Sequence, residues 1–235
     1  MKNRPDKPTS NAQPAFLFDL DGTLIDSVYQ HVVAFRVALA AVGIDLPAWS
    51  IHRRIGMSDE LITQAFMRDS GKQLSPKKIE ELKRLHDEAY QERLGEVRVL
   101  PGAKELLKTL AELKVPHAIG TSSQRKNAER PLKMLGVSSK VPVVTGEEVS
   151  NAKPSPDLFL AAAERLGFEI IHCVVIGDSV WDLLAGQRAR ALGIGLLCGG
   201  YGEDELTRAG AYRVYRDPAD LLAHLDEVGV RVKNS

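Results

Sequence analysis

Cysteine is nearly absent from this sequence, and so is any excess of charge. The 235 residues include two cysteines, Cys173 and Cys198. Two cannot build a disulfide framework, and neither belongs to a Cys-x-x-Cys pair, which argues against a zinc site. Both stand in apolar runs and read as small buried hydrophobes of a reducing compartment. Lys plus Arg and Asp plus Glu total 31 each, so the formal net charge is zero with neutral histidines. That balance lacks the basic excess of a dedicated nucleic-acid binder. It also lacks the one-signed charge of a solvating disordered chain. No run approaches the roughly 18 consecutive apolar residues of a membrane span. Residues 1–14, MKNRPDKPTSNAQP, hold three prolines and no apolar block, which predicts a disordered tail rather than a signal peptide. A cytoplasmic protein without membrane or nucleic-acid partners is expected. A monomer and a homodimer both satisfy this composition.

What is present is an ordinary globular mix, 44% hydrophobic and 26% charged. A chain this long buries about 70–75% of its unfolded surface, enough for a full core and a smaller second lobe. Ala15–Phe18 (AFLF) is apolar on both faces, as suits a central strand of a covered parallel sheet. Similar runs follow at His117–Gly120, Val141–Val144, Cys173–Ile176 and Ile194–Cys198, with a weaker one at Tyr212–Tyr215. Helical patterns lie between them: Ala103, Leu106, Leu107, Leu110 and Leu113, then Leu158, Ala162 and Leu166. This alternation predicts a doubly wound parallel α/β sheet. Pro142 removes a ladder donor, so its strand is expected at an edge or to begin late. Pro131 is expected to delay or restart its helix near Arg130.

Between Asp21 and His117 no strand-like run is found. Helical stripes fill the gap: Val28, Val32, Phe35, Leu39 and Val42, closed by Gly43; Leu61, Ile62, Ala65 and Phe66; Ile79, Leu82, Leu85 and Ala89, opened by Ser75-Pro76. Three or four helices inserted after the first strand predict a helical lobe over residues 26–98. Residues 15–25 and 99–235 then form the α/β domain.

Ligands of parallel α/β sheets bind at the carboxyl ends of the strands. Those ends carry Asp19-Leu20-Asp21-Gly22-Thr23, then Thr121-Ser122-Ser123, then Lys153, then Gly177-Asp178-Ser179 with Asp182. Residues two apart in an extended chain point the same way, so Asp19 and Asp21 can face one pocket. Carboxylates that close repel unless a cation intervenes. An oxygen-seeking ion such as Mg²⁺ fits, with Asp178 as a third carboxylate. Thr121 can donate to a phosphate oxygen, Lys153 supplies a point charge, and Gly22 lets backbone N–H groups approach an anion. Such a set suits phosphoryl transfer through an aspartyl phosphate.

These four segments, in order, resemble the four motifs of the haloacid dehalogenase superfamily. The resemblance covers residues 15 to about 225 and implies its Rossmann-like core. Gly199-Gly200-Tyr201-Gly202, Glu205-Leu206 and Ala209-Gly210-Ala211 resemble its phosphoglycolate-phosphatase-like branch. The resemblance implies that Asp19 is the nucleophile and Asp21 the acid and base. It implies that Thr121 and Lys153 hold the phosphoryl group. Asp19, the Asp21 carbonyl and Asp178 would hold Mg²⁺, with Asp182 in support. It implies that the helical insert is an α-helical cap selecting a small phosphorylated metabolite of phosphoglycolate or sugar-phosphate type.

Within that cap Arg53 and Arg54 are expected to bind an anion on the substrate, beside Gly22, Thr23 and Ser122 nearer the phosphoryl site. Relatives with phosphomutase activity carry a histidine near position 31 and an acidic residue two before it. Here that place is Tyr29, and His31 is expected on the helix surface. Trp181 is expected to pack rather than stack on substrate. A β-phosphoglucomutase-like sugar phosphomutase uses the same motifs and is the nearest alternative. A non-catalytic binding module on the same fold is a second, though none of its expected carboxylate losses has occurred.

Overall fold

The computed structural model of the chain describes residues 13–230. Apart from Gln13 and Pro14, the segment expected to form a disordered tail lies outside them. The apolar run Ala15–Phe18 is strand β1, fully buried on both faces. Ala15 and Leu17 pack to one side and Phe16 and Phe18 to the other, the two-residue period of a pleated strand. The chain continues through β2 (Ile25–Asp26) into helices α1 (Val28–Ala41), α2 (Ala48–His52), α3 (Asp59–Ser70) and α4 (Pro76–Arg93), and returns through β3 (Arg98–Val99). There follow α5 (Ala103–Glu112), β4 (His117–Thr121), α6 (Arg125–Leu135), β5 (Val143–Thr145) and α7 (Asp157–Leu166). The remainder is β6 (Cys173–Gly177), α8 (Val180–Ala189), β7 (Leu192–Leu196), α9 (Glu203–Arg208), β8 (Ala211–Tyr215) and α10 (Pro218–Ala223).

Six strands form one parallel sheet in the order β5-β4-β1-β6-β7-β8. From β1 the chain winds outward to β4 and β5, then crosses back to β6 and winds the other way. The reversal opens a crevice at the carboxyl ends of β4, β1 and β6. The sheet is therefore the doubly wound Rossmann-like α/β sheet that the strand–helix alternation predicts. Pro142 precedes β5, which is an edge strand and starts at Val143, so the missing donor costs no ladder bond.

The helices α1 to α4 share a hydrophobic cluster of their own, from Val28, Phe35 and Leu39 through Ile51 and Ile62 to Phe66 and Leu82. Ser58 and Ser75 cap α3 and α4 by accepting from Leu61 N–H and Lys78 N–H, both at 3.4 Å. No described helix is long and apolar enough to cross a membrane.

Four expectations need correction. Pro131 does not interrupt its helix: α6 runs from Arg125 to Leu135, with Pro131 buried inside it. Packing of that ring offsets the one backbone bond it removes. The segment between Asp21 and His117 does contain strand, because β2 and β3 pair antiparallel. Two residues each are too short to show alternation. Strand β7 begins at Leu192, and Leu197–Gly199 turns away from the sheet. Its glycines, Gly193 and Gly195, broke up the apolar signal. Leu61, assigned to a buried stripe, is exposed. The two cysteines are free, Cys173 buried and Cys198 half-buried.

Candidate active site

The residues after β1, β4 and β6 meet at the reversal of strand order. Asp19 continues the β1–β6 pairing by donating its N–H to Ile176 O at 2.9 Å, which fixes the backbone that carries its carboxylate. Lys153 arrives from the loop after β5 and is 1% exposed. Its Nζ donates to Asp19 Oδ1 at 2.5 Å and to Asp182 Oδ1 at 2.7 Å. Asp182 is the third residue of α8, and its other oxygen accepts from Ser179 N–H at 3.1 Å and Ser179 Oγ at 2.6 Å. Both Asp182 oxygens are thus engaged, one orienting Lys153 and one capping the helix.

Asp19, Asp178 and Asp182 each present a carboxylate oxygen, and the three lie within 4.8 Å of one another. One lysine stands against three buried carboxylates. Burial, reinforced by repulsion from Asp182 and Asp178, pushes Asp19 well above the usual carboxylate range despite Lys153. Burial and then Asp182 push Asp178 up to about 8, although Thr23 donates to it. Burial alone would lower Lys153, but Asp182 and Asp19 outweigh it and raise it, so the ammonium stays charged. Crowded hard oxygen donors with unmet negative charge are what a divalent cation such as Mg²⁺ takes.

Glycine makes this crowding possible. Gly22 has φ +88°, and a Cβ there would overlap the Asp178 carboxylate and Val28. Thr23 Oγ1 donates to Asp178 Oδ1 at 2.8 Å. Gly22 and Thr23, expected to meet substrate, instead shape and hold Asp178.

Asp21 faces away from the three-carboxylate cluster, toward the helices. Its Oδ1 accepts from Ser27 Oγ at 2.7 Å, and its Oδ2 from Ser123 Oγ at 2.8 Å and Thr121 Oγ1 at 3.2 Å. His31 Nε2 lies 3.5 Å from Oδ1. Burial raises Asp21, but hydrogen bonding and charge from His31, with Ser27 and Ser123, prevail and hold it far below the usual range. The two neighbouring aspartates are therefore driven in opposite directions.

A cavity of about 50 Å³ opens beside Asp19, Asp21, Thr121, Ser122, Ser123 and Lys153. Its other wall is His31, Phe35, Ile55, Gly56, Met57, Asp59 and Ile62, all from the helical segment. The cavity thus has the strand ends as its base and the helical segment as its upper wall. A family profile described as haloacid dehalogenase-like hydrolase matches residues 14–190.

The chain belongs to the haloacid dehalogenase-like hydrolases.

It is 49% identical to a hydrolase from Pseudomonas syringae of known structure, with a TM-score of 0.90 over 92% of this chain and all of that one. It is 31% identical to the pyrophosphatase PpaX of Halalkalibacterium halodurans over 92% of this chain and 97% of the relative. It is 33% identical to the hexitol phosphatase A of Escherichia coli, over 74% and 78% respectively.

Within this hydrolase the sequence-expected residues divide. Asp19, Asp21, Thr121, Ser122 and Lys153 gather at the cavity, and Asp178 and Asp182 lie behind it. The two arginines do not line it. Arg53 forms an ion pair with Glu205, and its guanidinium lies 4.1 Å over the Tyr201 ring. Arg54 donates to Asp69 Oδ2 at 2.9 Å. Each guanidinium has found a carboxylate of the chain itself. Trp181 Nε1 and Tyr201 Oη both donate to the Arg53 carbonyl, at 3.2 and 3.1 Å, tying the helical lobe to the sheet domain.

His31 corrects the surface expectation. It is 6% exposed, stacked 3.9 Å from Tyr90, with Nδ1 3.2 Å from His86 Nε2. The face of α1 that carries it is covered by α4, a pairing no periodicity within α1 alone reveals. Ser123, placed at a strand end by the sequence but given no role there, donates to Asp21. Ser27 and Asp59 carried no signal in isolation.

Proposed function

We propose that this hydrolase is an Mg²⁺-dependent phosphatase that cleaves a small phosphorylated metabolite through an aspartyl phosphate on Asp19. The observation that carries the reading is the pair of aspartates two residues apart on the end of β1, Asp19 buried and Asp21 half-buried. One is bound to Lys153 and the other is held by hydroxyls at the cavity. Asp19 attacks phosphorus. Lys153, already against Asp19, neutralises the equatorial oxygens, and Thr121 Oγ1 can turn from Asp21 to donate to one of them. Asp21 protonates the leaving oxygen and then activates the water that opens the acyl phosphate. To act as acid Asp21 must first carry a proton, and His31 Nε2 lies 3.5 Å from its carboxylate.

Asp19, the Asp21 carbonyl and Asp178 would hold Mg²⁺, and Asp182 supports the set by holding Lys153. The ion supplies positive charge where the transferring phosphoryl group gathers negative charge. Residues 26–98 act as the cap: Ser58 N–H donates to Lys153 O at 2.9 Å, and Ser122 Oγ to Gly56 O at 3.1 Å, so the lobe closes directly on the site. Two free cysteines suit a cytoplasmic setting.

Hydrolysis is favoured over a mutase reaction by the two arginines. A mutase must seat a second phosphate at the far end of its substrate, and Arg53 and Arg54 are already committed to Glu205 and Asp69. The test is phosphate release from p-nitrophenyl phosphate with Mg²⁺. Asp19→Asn is expected to lower it by about three orders of magnitude or more. Retention of Mg²⁺-dependent release would remove Asp19 as nucleophile.

A further inference from the structure

We propose that the substrate's leaving group bears no anion within two carbons of the phosphoester, and that Asp59 enforces this. The proposal rests on the phosphatase reading and narrows it to hydroxylated leaving groups such as polyols and sugars. It follows from the charges at the cap end of the cavity. Among the described residues lining it, the acidic ones are Asp19, Asp21 and Asp59, and the one permanent cation is Lys153. That ammonium is spent on Asp19 and Asp182. Asp59 opens α3, and its Oδ2 accepts from the neutral amide of Gln124 at 3.3 Å.

His31, also on this wall, turns its two ring nitrogens to Asp21 and His86, and the remaining side chains, Phe35, Ile55, Met57 and Ile62, cannot solvate a charge. A carboxylate or phosphate on a short leaving group would therefore face the Asp59 carboxylate across apolar walls without a counter-ion, a costly arrangement. A hydroxyl in the same place donates to it. Asp59 thus selects by repulsion as much as by attraction.

The surroundings continue the pattern. Asp59 and Ser122 are shared with an open groove of about 630 Å³, whose wall carries Ser150, Asn151 and Ser155. Of the two cations on its wall, Lys83 and Arg188, Arg188 donates to Pro154 O at 2.7 Å. A longer hydroxylated chain can extend there.

The test compares 2-hydroxyethyl phosphate with phosphoglycolate, which differ only by alcohol against carboxylate, with pyrophosphate as a second anionic leaving group. All are assayed with Mg²⁺. The wild-type enzyme is expected to favour 2-hydroxyethyl phosphate over both by at least about tenfold in kcat/KM. Asp59→Asn is expected to bring the ratio to phosphoglycolate near unity, and Asp59→Lys to invert it. Each ratio is read within one preparation, so a partly unfolded fraction cancels. A wild-type preference for either anionic substrate, or a ratio unmoved by both substitutions, would overturn the proposal. Turnover of p-nitrophenyl phosphate separates this from failure of the phosphatase reading: its presence beside an anionic preference defeats the Asp59 assignment alone. Its absence defeats both.

Discussion

Lys153 is the residue on which the site turns, because it is a fully buried ammonium whose two partners are fully buried carboxylates. Burial opposes every one of these charges, and only their mutual contacts make them tolerable. Lys153→Met keeps the length of the side chain and removes its charge, leaving Asp19 and Asp182 uncompensated. The expected loss is about 3–5 kcal/mol, read from the midpoint of urea unfolding. A loss under about 1 kcal/mol would mean that the carboxylates are not compensated by this lysine. Gly22 acts at the same scale through space alone. Gly22→Ala places a methyl group against the Asp178 carboxylate in a backbone conformation that alanine resists. Displacing a ligand in this way is expected to weaken Mg²⁺ binding by about 10–100-fold, measured by calorimetric titration.

At the scale of elements, two short connections hold the site in place. Ser58 caps α3 with its side chain while its N–H reaches across to Lys153 O. Ser58→Ala removes the cap and leaves the backbone contact. About 1 kcal/mol of stability should be lost in urea unfolding, with the cross-lobe contact intact. Glu148 fastens the end of β5 to α7: Thr145 N–H donates to it at 2.8 Å and Arg165 Nη2 at 2.8 Å. Burial is the largest single influence and raises its carboxyl, but the bonds from Arg165 and Thr145 together prevail and hold it at about 2. A depressed carboxyl contributes stability above its unfolded pKa and loses it as pH falls through its folded one. The melting temperature of wild type should therefore exceed that of Glu148→Gln at neutral pH, and the gap should close between about pH 4.5 and 2. The gap is small, since this pair is largely solvated. A gap constant with pH would show that the carboxylate charge contributes nothing.

At the scale of the whole molecule, the sheet domain carries excess negative charge at its strand ends and the helical lobe closes over it. Burial and Asp182 push Asp178 up to about 8, so below that pH a cation must displace a proton to bind. The rise in melting temperature on adding Mg²⁺ should grow with pH and level off above about 8. A rise that shrinks with pH would count against Asp178 as a ligand. Much of this architecture was legible in the chain itself. β1 is apolar on both faces because it is central, and β1, β4 and β6 run directly into Asp19, Thr121 and Asp178 at the crevice. Asp19, Asp21, Thr121, Lys153 and Asp178 could be read because their information is local: a strand, its end, and the next side chain. Arg53, Arg54, His31 and Asp59 could not. Whether an arginine meets a ligand or a carboxylate of its own chain depends on which surface lies opposite, and Glu205 is 152 residues from Arg53. His31 is buried because α4 crosses the face of α1 that bears it, and Asp59 reaches the cavity because the lobe folds back over the sheet. The sheet and the clustered carboxylates were already legible in periodicity and chain order. Which charges remain free follows from the folded arrangement alone, since compensation depends on distance in space rather than along the chain.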